Sequence, residues 1–419
     1  MSIIPATAMR FSSLPCRKTD QEIAMTVSFR AVLAASAMAA ALLASSDAFA
    51  GRAYIGTYTP NPPGARSESH GEGIYLVDVN DQTGTPSNPR LVARTLSPTW
   101  ITFSKDHKFL YAANEIANYG PKKSGSVSAF AVDQASGRLT PLNVVSSELA
   151  VPCYISVHPS GKFLMVANYS GGGYTIIRIK PDGSLGETTD VVKPDGPLNP
   201  ATASDNPPGQ LAGSDHRGSR GHMIGPDPSG EYVIGDDAGR DQIFVWKLDT
   251  GMGKLNQVSV TKALPGSAPR HFVFSPDGKT MYQLQEQDSR LATYSFANGR
   301  LTQKGPTISA LPDGYQGSNT ASELLIDKVG KHLYSGNRTQ NSIAAFSIGA
   351  NAMPTKIANV ATEAHLPRSL TLSPDGRFIY SLNQGADNVT TFRIGADGIP
   401  KFTGHYMALG SPAVMAFLP

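Results

Sequence analysis

Six side chains in this 419-residue sequence are spaced so that they could do chemistry together: Glu115, His222, Arg270, Glu286, Arg338 and Arg368. His271 and Glu323 each lie one residue beyond such a position. Two or three guanidiniums can grip a carboxylate or phosphate through paired N–H donors. A carboxylate beside an imidazole can exchange protons with a bound molecule. The pattern points to a pocket for a small anionic molecule, with Arg270, Arg338 and Arg368 gripping it, one of the carboxylates and an imidazole exchanging protons, and His271 and Glu323 joining the binding set. The competing reading is a structural ion network that satisfies polar groups in a channel; the surplus of arginine over acid speaks for a pocket.

Other chemistries lack their patterns. The nine histidines show no paired metal-ligand spacing. Gly171-Gly172-Gly173 is not followed by Lys-Ser/Thr. Asp236, Asp237 and Asp241 lack calcium-loop spacing and read as turn residues. No G-x-S-x-G elbow occurs. Neither metal nor cofactor is expected. Cys153 reads as a small buried hydrophobe. His107 and His158 fall in turns on the opposite face and read as exposed.

Residues spread from 115 to 368 can meet only if the chain returns to one place repeatedly. It does so through an internal repeat. Six segments share a pattern: PTWITFSKDHKFLYAANE from Pro98, PCYISVHPSGKFLMVANY from Pro152, GHMIGPDPSGEYVIGDDA from Gly221, PRHFVFSPDGKTMYQLQE from Pro269, ASELLIDKVGKHLYSGNR from Ala321 and PRSLTLSPDGRFIYSLNQ from Pro367. Each reads as a β-hairpin. Proline presets φ in the turn, glycine takes its left-handed position, and the flanks are β-branched and aromatic. A second strand pair follows most hairpins, as in GSVSAFAVDQASGRLTPL from Gly125. Units of four strands about 45–70 residues apart fit propeller blades. A seventh copy is split between PAVMAFLP from Pro412 and RAYIGTYT from Arg52. Pairing the two ends would close a seven-bladed, all-β ring and remove exposed sheet edges.

Hairpin geometry then gathers two columns of residues on the face opposite the turns. The leading column, at the start of each first strand, is Thr99, Cys153, His222, Arg270, Ser322, Arg368 and Ala413. The trailing column, just after each second strand, is Glu115, Tyr169, Ala238, Glu286, Arg338, Gln384 and Tyr58. These positions vary between repeats while the turns do not, as a site built by several blades requires. The longest interruption, 193–220, is polar and rich in turn formers, a loop of functional length over the ring or a surface excursion.

Composition agrees. Charged residues are 16% and hydrophobics 40%, which excludes disorder, and 41 glycines with 31 prolines favour many short strands. The net charge of +3 contains no basic block, so no nucleic-acid partner is expected. Residues 1–50 read as a leader: Arg30 precedes the apolar run 31–43, and Ala48-Phe49-Ala50 is an A-x-A cleavage site, with Met25 as the true start. The chain from 51 to 419 is then an exported propeller, periplasmic or extracellular and free of the membrane once the leader is removed.

The stretches 268–274 (APRHFVF), 319–323 (NTASE), 334–338 (YSGNR), 151–154 (VPCY) and 166–169 (VANY) resemble the seven-bladed propeller lactonases over essentially the whole of 51–419. That family includes bacterial propeller-type 6-phosphogluconolactonases and fungal 3-carboxy-cis,cis-muconate lactonizing enzymes. The resemblance implies a pocket histidine, glutamate and two arginines, which fall on His222, Glu286, Arg270 and Arg338. Many bacterial relatives have His-Ala-His where this chain has Arg220-Gly221-His222, a change that bears on proton transfer. The expectation is hydrolysis of a small anionic or sugar lactone, with Glu286 as general base and His222 as acid. The alternatives are cyclisation of the muconate type and an exported propeller that binds a ligand or protein without chemistry.

Overall fold

A computed structural model of the chain describes residues 51–60 and 68–419; the leader expected over 1–50 lies outside the described residues. Seven antiparallel sheets follow one another around a ring. Numbered from Pro98, blades 1 to 6 occupy 98–146, 152–192, 221–262, 269–309, 321–361 and 367–408. Blade 7 joins the two ends of the chain: Pro412–Leu418 pairs with Gly51–Thr57, followed by Gly73–Val79 and Pro86–Arg94. Its register, with Tyr54 opposite Ala416 and Ile55 opposite Met415, closes the ring as the split repeat predicts. Blade 4 departs slightly, because its outer strand is broken into Arg300–Gln303 and Ile308–Ser309, both paired with Arg290–Ala297. Helix among the described residues amounts to one 3-10 turn, Gln384–Ala386.

The apolar core is divided into slabs between neighbouring blades. Tyr54, Ile74 and Leu76 of blade 7 pack on Ile101, Leu110 and Phe130 of blade 1. Tyr111 and Val127 of blade 1 pack on Ile155, Leu164 and Val166 of blade 2. Each sheet is therefore buried on both faces, which accounts for its continuous apolar runs. A second device pins blade to blade at the turn face. The phenol hydroxyls of Tyr54, Tyr111, Tyr282 and Tyr334 donate to the carbonyls of Gly137, Gly183, Ala352 and Gly398, each in the outer turn of the following blade, at 2.8, 3.1, 2.9 and 3.0 Å. Gly183 shows why glycine serves there. Its φ is +80°, and a Cβ would lie 2.2 Å from the Phe109 ring.

In the first hairpins the left-handed turn position is glycine in blades 2 to 6, for example Gly278 at φ +70°, while blade 1 places His107 there at +56°. His107 is exposed as expected, but His158 is not. Its ring is buried against its own turn, with Nδ1 2.9 Å from Ser160 Oγ, and burial lowers its pKa.

The opposite ends of the blades are irregular in a repeated way. In all seven, the pairing of the first two strands slips at the leading-column residue. The slips fall between Pro98 and Trp100, Pro152 and Tyr154, Gly221 and Met223, Pro269 and His271, Ala321 and Leu324, Pro367 and Ser369, and between Pro412 and Val414. A bulge of this kind leaves one residue unpaired and re-aims its side chain. In the five blades where proline opens the first strand, the residue before it is left-handed: Ser97, Val151, Ala268, Leu366 and Ser411, at φ +41° to +59°. Sterics disfavour that conformation before proline, most of all for the β-branched Val151, and strain of this sort collects at functional sites.

Candidate active site

One hydrogen bond per blade joins the two columns. The amide of each trailing residue donates to the carbonyl two residues before the leading one: Glu115 to Ser97, Tyr169 to Val151, Ala238 to Arg220, Glu286 to Ala268, Arg338 to Thr320, Gln384 to Leu366 and Tyr58 to Ser411, all between 2.8 and 3.0 Å. The bulges and these bonds set the polar side chains around the mouth of the channel. A cavity of about 280 Å³ opens there. It is lined by Cys153, His222, Arg270 and Arg368 of the leading column and by Tyr58, Glu115, Tyr169, Glu286, Arg338 and Gln384 of the trailing one. Thr320 and Leu366 complete the wall; they precede leading residues by two positions, a place the repeat comparison did not consider.

The centre of one wall is Glu286. Arg270 Nη1 lies 2.8 Å from its Oε2 and Arg338 Nη2 3.0 Å from its Oε1. Burial pushes the Glu286 carboxyl up, but Arg338, Arg270 and Arg368 outweigh it and hold the group at about 2. Arg270 also donates Nε to the Ser322 carbonyl and Nη1 to His222 Nε2. A guanidinium can only donate, so His222 Nε2 accepts and the ring proton sits on Nδ1. Burial, and after it Arg270, keeps the His222 pKa well below its ordinary value, so the ring is neutral at pH 7. His222 Nε2 is 3.6 Å from Glu286 Oε2. Arg270 is 1% exposed, and its Nη2 has no hydrogen-bond partner among the described residues.

The opposite wall is built on Glu115. Its Oε2 accepts from Thr99 Oγ1 at 2.6 Å and from the Tyr58 hydroxyl at 3.0 Å, and Arg368 Nη2 lies 3.6 Å away. Arg368 Nε donates to the same Tyr58 oxygen at 3.1 Å. Burial works against the Arg368 charge, but Tyr58 and Glu115 more than offset it and raise its pKa. Cys153 sits between the walls, with Sγ 3.9 Å from His222 Nδ1. Burial pushes its thiol up to about 12, so it is a packing group and not a thiolate.

His271 and Glu323 do not line the cavity. His271 reaches from blade 4 across the channel, and its ring lies 5.5 Å from both Trp100 of blade 1 and Tyr154 of blade 2. Its Nδ1–H donates to Glu323 Oε1 at 2.8 Å, and Ser369 Oγ donates to Oε2 at 3.0 Å. The pair is 2% and 5% exposed, and the His271 ring lies 5.2 Å from that of His222. His271 resumes the strand pairing one residue past the bulge, opposite Leu284, whereas Glu323 lies within the wider slip between Ala321 and Leu324.

The 193–220 insertion runs along the rim over blades 3 to 5, and none of its residues lines the cavity. Arg240 and Asp241 of blade 3 hold Pro194 and Asn199. Gln210 donates to the Gln287 and Asn319 carbonyls at 2.6 Å. The Ser214 amide donates to Gln287 Oε1 at 2.6 Å, and Ser214 Oγ lies 3.5 Å from Glu286 Oε1. Arg220 points into this strap, donating to Asp215 Oδ2 at 2.8 Å, and is absent from the cavity lining.

Three guanidiniums face two carboxylates around a neutral imidazole at the mouth of a closed seven-bladed ring. Such a set offers several charged donors to an oxygen-bearing group. The family model "Lactonase, 7-bladed beta-propeller" matches residues 52–417, and the chain belongs to that family. It is similar to a 6-phosphogluconolactonase of Bacillus subtilis, 27% identical over 77% of this chain and 84% of the relative. Another 6-phosphogluconolactonase, from Formosa agariphila, is 25% identical over 77% of this chain and 86% of its own. Among solved structures, the periplasmic gluconolactonase of Pseudomonas aeruginosa superposes with a TM-score of 0.77 at 27% identity, over 88% of this chain and 98% of that one.

Proposed function

We propose that this chain hydrolyses a small lactone at the channel mouth and does so after export. The supporting observation is the grip of Arg270 and Arg338 on the two oxygens of Glu286 beside a neutral His222, with Arg270 Nη2 buried and without a hydrogen-bond partner among the described residues. Export rests on the leader pattern of residues 1–50 and on likeness to a relative described as periplasmic.

The contacts favour one division of labour over another: two arginines hold both oxygens of Glu286, whereas His222 Nε2 faces Arg270, a donor that a substrate can draw away. Glu286, held at about 2, has little affinity for a proton and is a weak general base. His222 starts uncharged, so it begins the cycle as an acceptor and not as an acid. A lactone carbonyl arriving at Arg270 competes for its donors and frees His222 Nε2. Water attacks the carbonyl carbon and its proton passes to Nε2. Glu286 stabilises the imidazolium, while Arg270 and Arg338 stabilise the oxyanion. The ring C–O bond then breaks and the proton returns to the leaving oxygen, giving the hydroxy acid.

The test is acid release from aldonolactones at constant pH. Activity well above the spontaneous rate is expected for the wild type and loss in both Arg270→Ala and Glu286→Gln. Turnover that survives both substitutions would place the reaction elsewhere.

A further inference from the structure

The proposed reading leaves the second wall of the pocket unexplained. Resting on that reading, we infer that Tyr58, Glu115 and Arg368 form a subsite for the uncharged, hydroxyl-bearing end of the substrate, so that the substrate class is an unphosphorylated sugar lactone.

Three groups approach Glu115, and all converge on Oε2. Its Oε1 has no partner among the described residues, although the side chain is 16% exposed to the cavity. Arg368 donates Nε to Tyr58 and holds Nη2 3.6 Å from Glu115, an ion-pair distance and not a hydrogen bond, so Nη1 and Nη2 both lack a hydrogen-bond partner among the described residues. The wall therefore offers an open acceptor beside an open donor, the arrangement that adjacent hydroxyls need.

Charge points the same way. This wall sets one guanidinium against one carboxylate, so it has no surplus cation. A phosphate ester would bring about −1.5 to −2 charges against Glu115 at pH 7. A second carboxylate on the substrate would meet the same repulsion. The opposite wall carries two guanidiniums against Glu286. That single surplus matches the one charge that develops on a lactone carbonyl oxygen. Specificity built from groups left unpaired by the wrong substrate can be large.

The experiment compares δ-gluconolactone with its 6-phosphate, by hydrolysis and by calorimetric binding of the matching lactams, which cannot be hydrolysed. Wild type should favour the unphosphorylated lactone in kcat/KM by about 100-fold or more. Glu115→Gln should shrink that ratio at least about 10-fold, weakening the neutral compound and relieving repulsion of the phosphate. Tyr58→Phe, which keeps the Glu115 charge, should lower kcat/KM for the neutral lactone and leave exclusion of the phosphate intact; it stands in should Glu115→Gln not fold. Wild-type preference for the phosphate, or equal loss for both lactones in Glu115→Gln, would overturn the subsite while leaving the hydrolase reading in place. No hydrolysis, but lactam binding with the same preference and the same Glu115→Gln shift, would remove the hydrolase reading and keep the subsite. Absence of lactam binding would overturn the subsite.

Discussion

The two ends of each blade are built on opposite terms. At the turn face the same solution recurs: glycine in a left-handed turn, an aromatic ring against it and a phenol donating to a turn carbonyl, as at Gly183, Phe109 and Tyr111. At the mouth the backbone solution also recurs, a bulge and one cross-column hydrogen bond in every blade, but the side chains differ. Repetition at one end makes the ring. Repetition of backbone with variation of side chain at the other makes a site from parts that no single blade contains. The two ends should therefore fail differently, through stability at the turns and through activity at the mouth.

Arg270→Ala should separate them most sharply. It removes a donor to the reacting centre and leaves Glu286 with one arginine, and kcat/KM should fall by about 10³. Steady-state kinetics alongside thermal unfolding would check it; a loss of activity no greater than the loss of folded protein would erase the distinction. Gly183→Ala is the reverse case. The residue must hold φ +80° while its Cβ meets the Phe109 ring. A cost of about 2–3 kcal/mol in denaturant unfolding is expected, with activity per folded molecule unchanged. Tyr334→Phe removes the bond to the Gly398 carbonyl and should cost about 1 kcal/mol, again without a change in kcat.

The smallest effect concerns pH. Glu286 and His222 both have lowered pKa values, so both are deprotonated at neutrality. The acid limb of kcat/KM should therefore lie well below 6.5, leaving the profile flat from about pH 6 to 8. A limb near 6.5 would show an imidazole that solvent reaches freely. The Glu286 pairing also contributes stability above the unfolded carboxyl value of 4.5, a contribution lost as pH falls towards 2.

Much of this was legible because it is periodic. The hairpins, the split blade and the Tyr54 register all follow from repeated spacing, and reading the columns down the repeats located ten residues of the cavity lining. What escaped depends on where backbone and neighbours put a side chain. The bulged residues carry no signature of their own, since Thr99, Cys153, His222 and Arg270 share only their position, although a proline precedes the bulge in five blades. His271 and Glu323 look like pocket residues one step along, yet they pair with each other, with the His271 ring against Trp100 and Tyr154. His158 looks like a turn residue and is buried. The insertion gave no sign of which blades it would cross, because Gln210, Ser214 and Asp215 are bound by residues up to 109 positions away.

The amino-acid order alone determined a seven-fold β architecture and which residues could meet at one rim, because periodic spacing and turn chemistry are local properties. The tertiary structure alone decided that two arginines share the carboxylate of Glu286, that burial favours a neutral His222 and that one Glu115 oxygen has no partner among the described residues. Charge, burial and hydrogen bonding at that rim are sums over several blades, and only closure of the ring brings those blades within reach of one another.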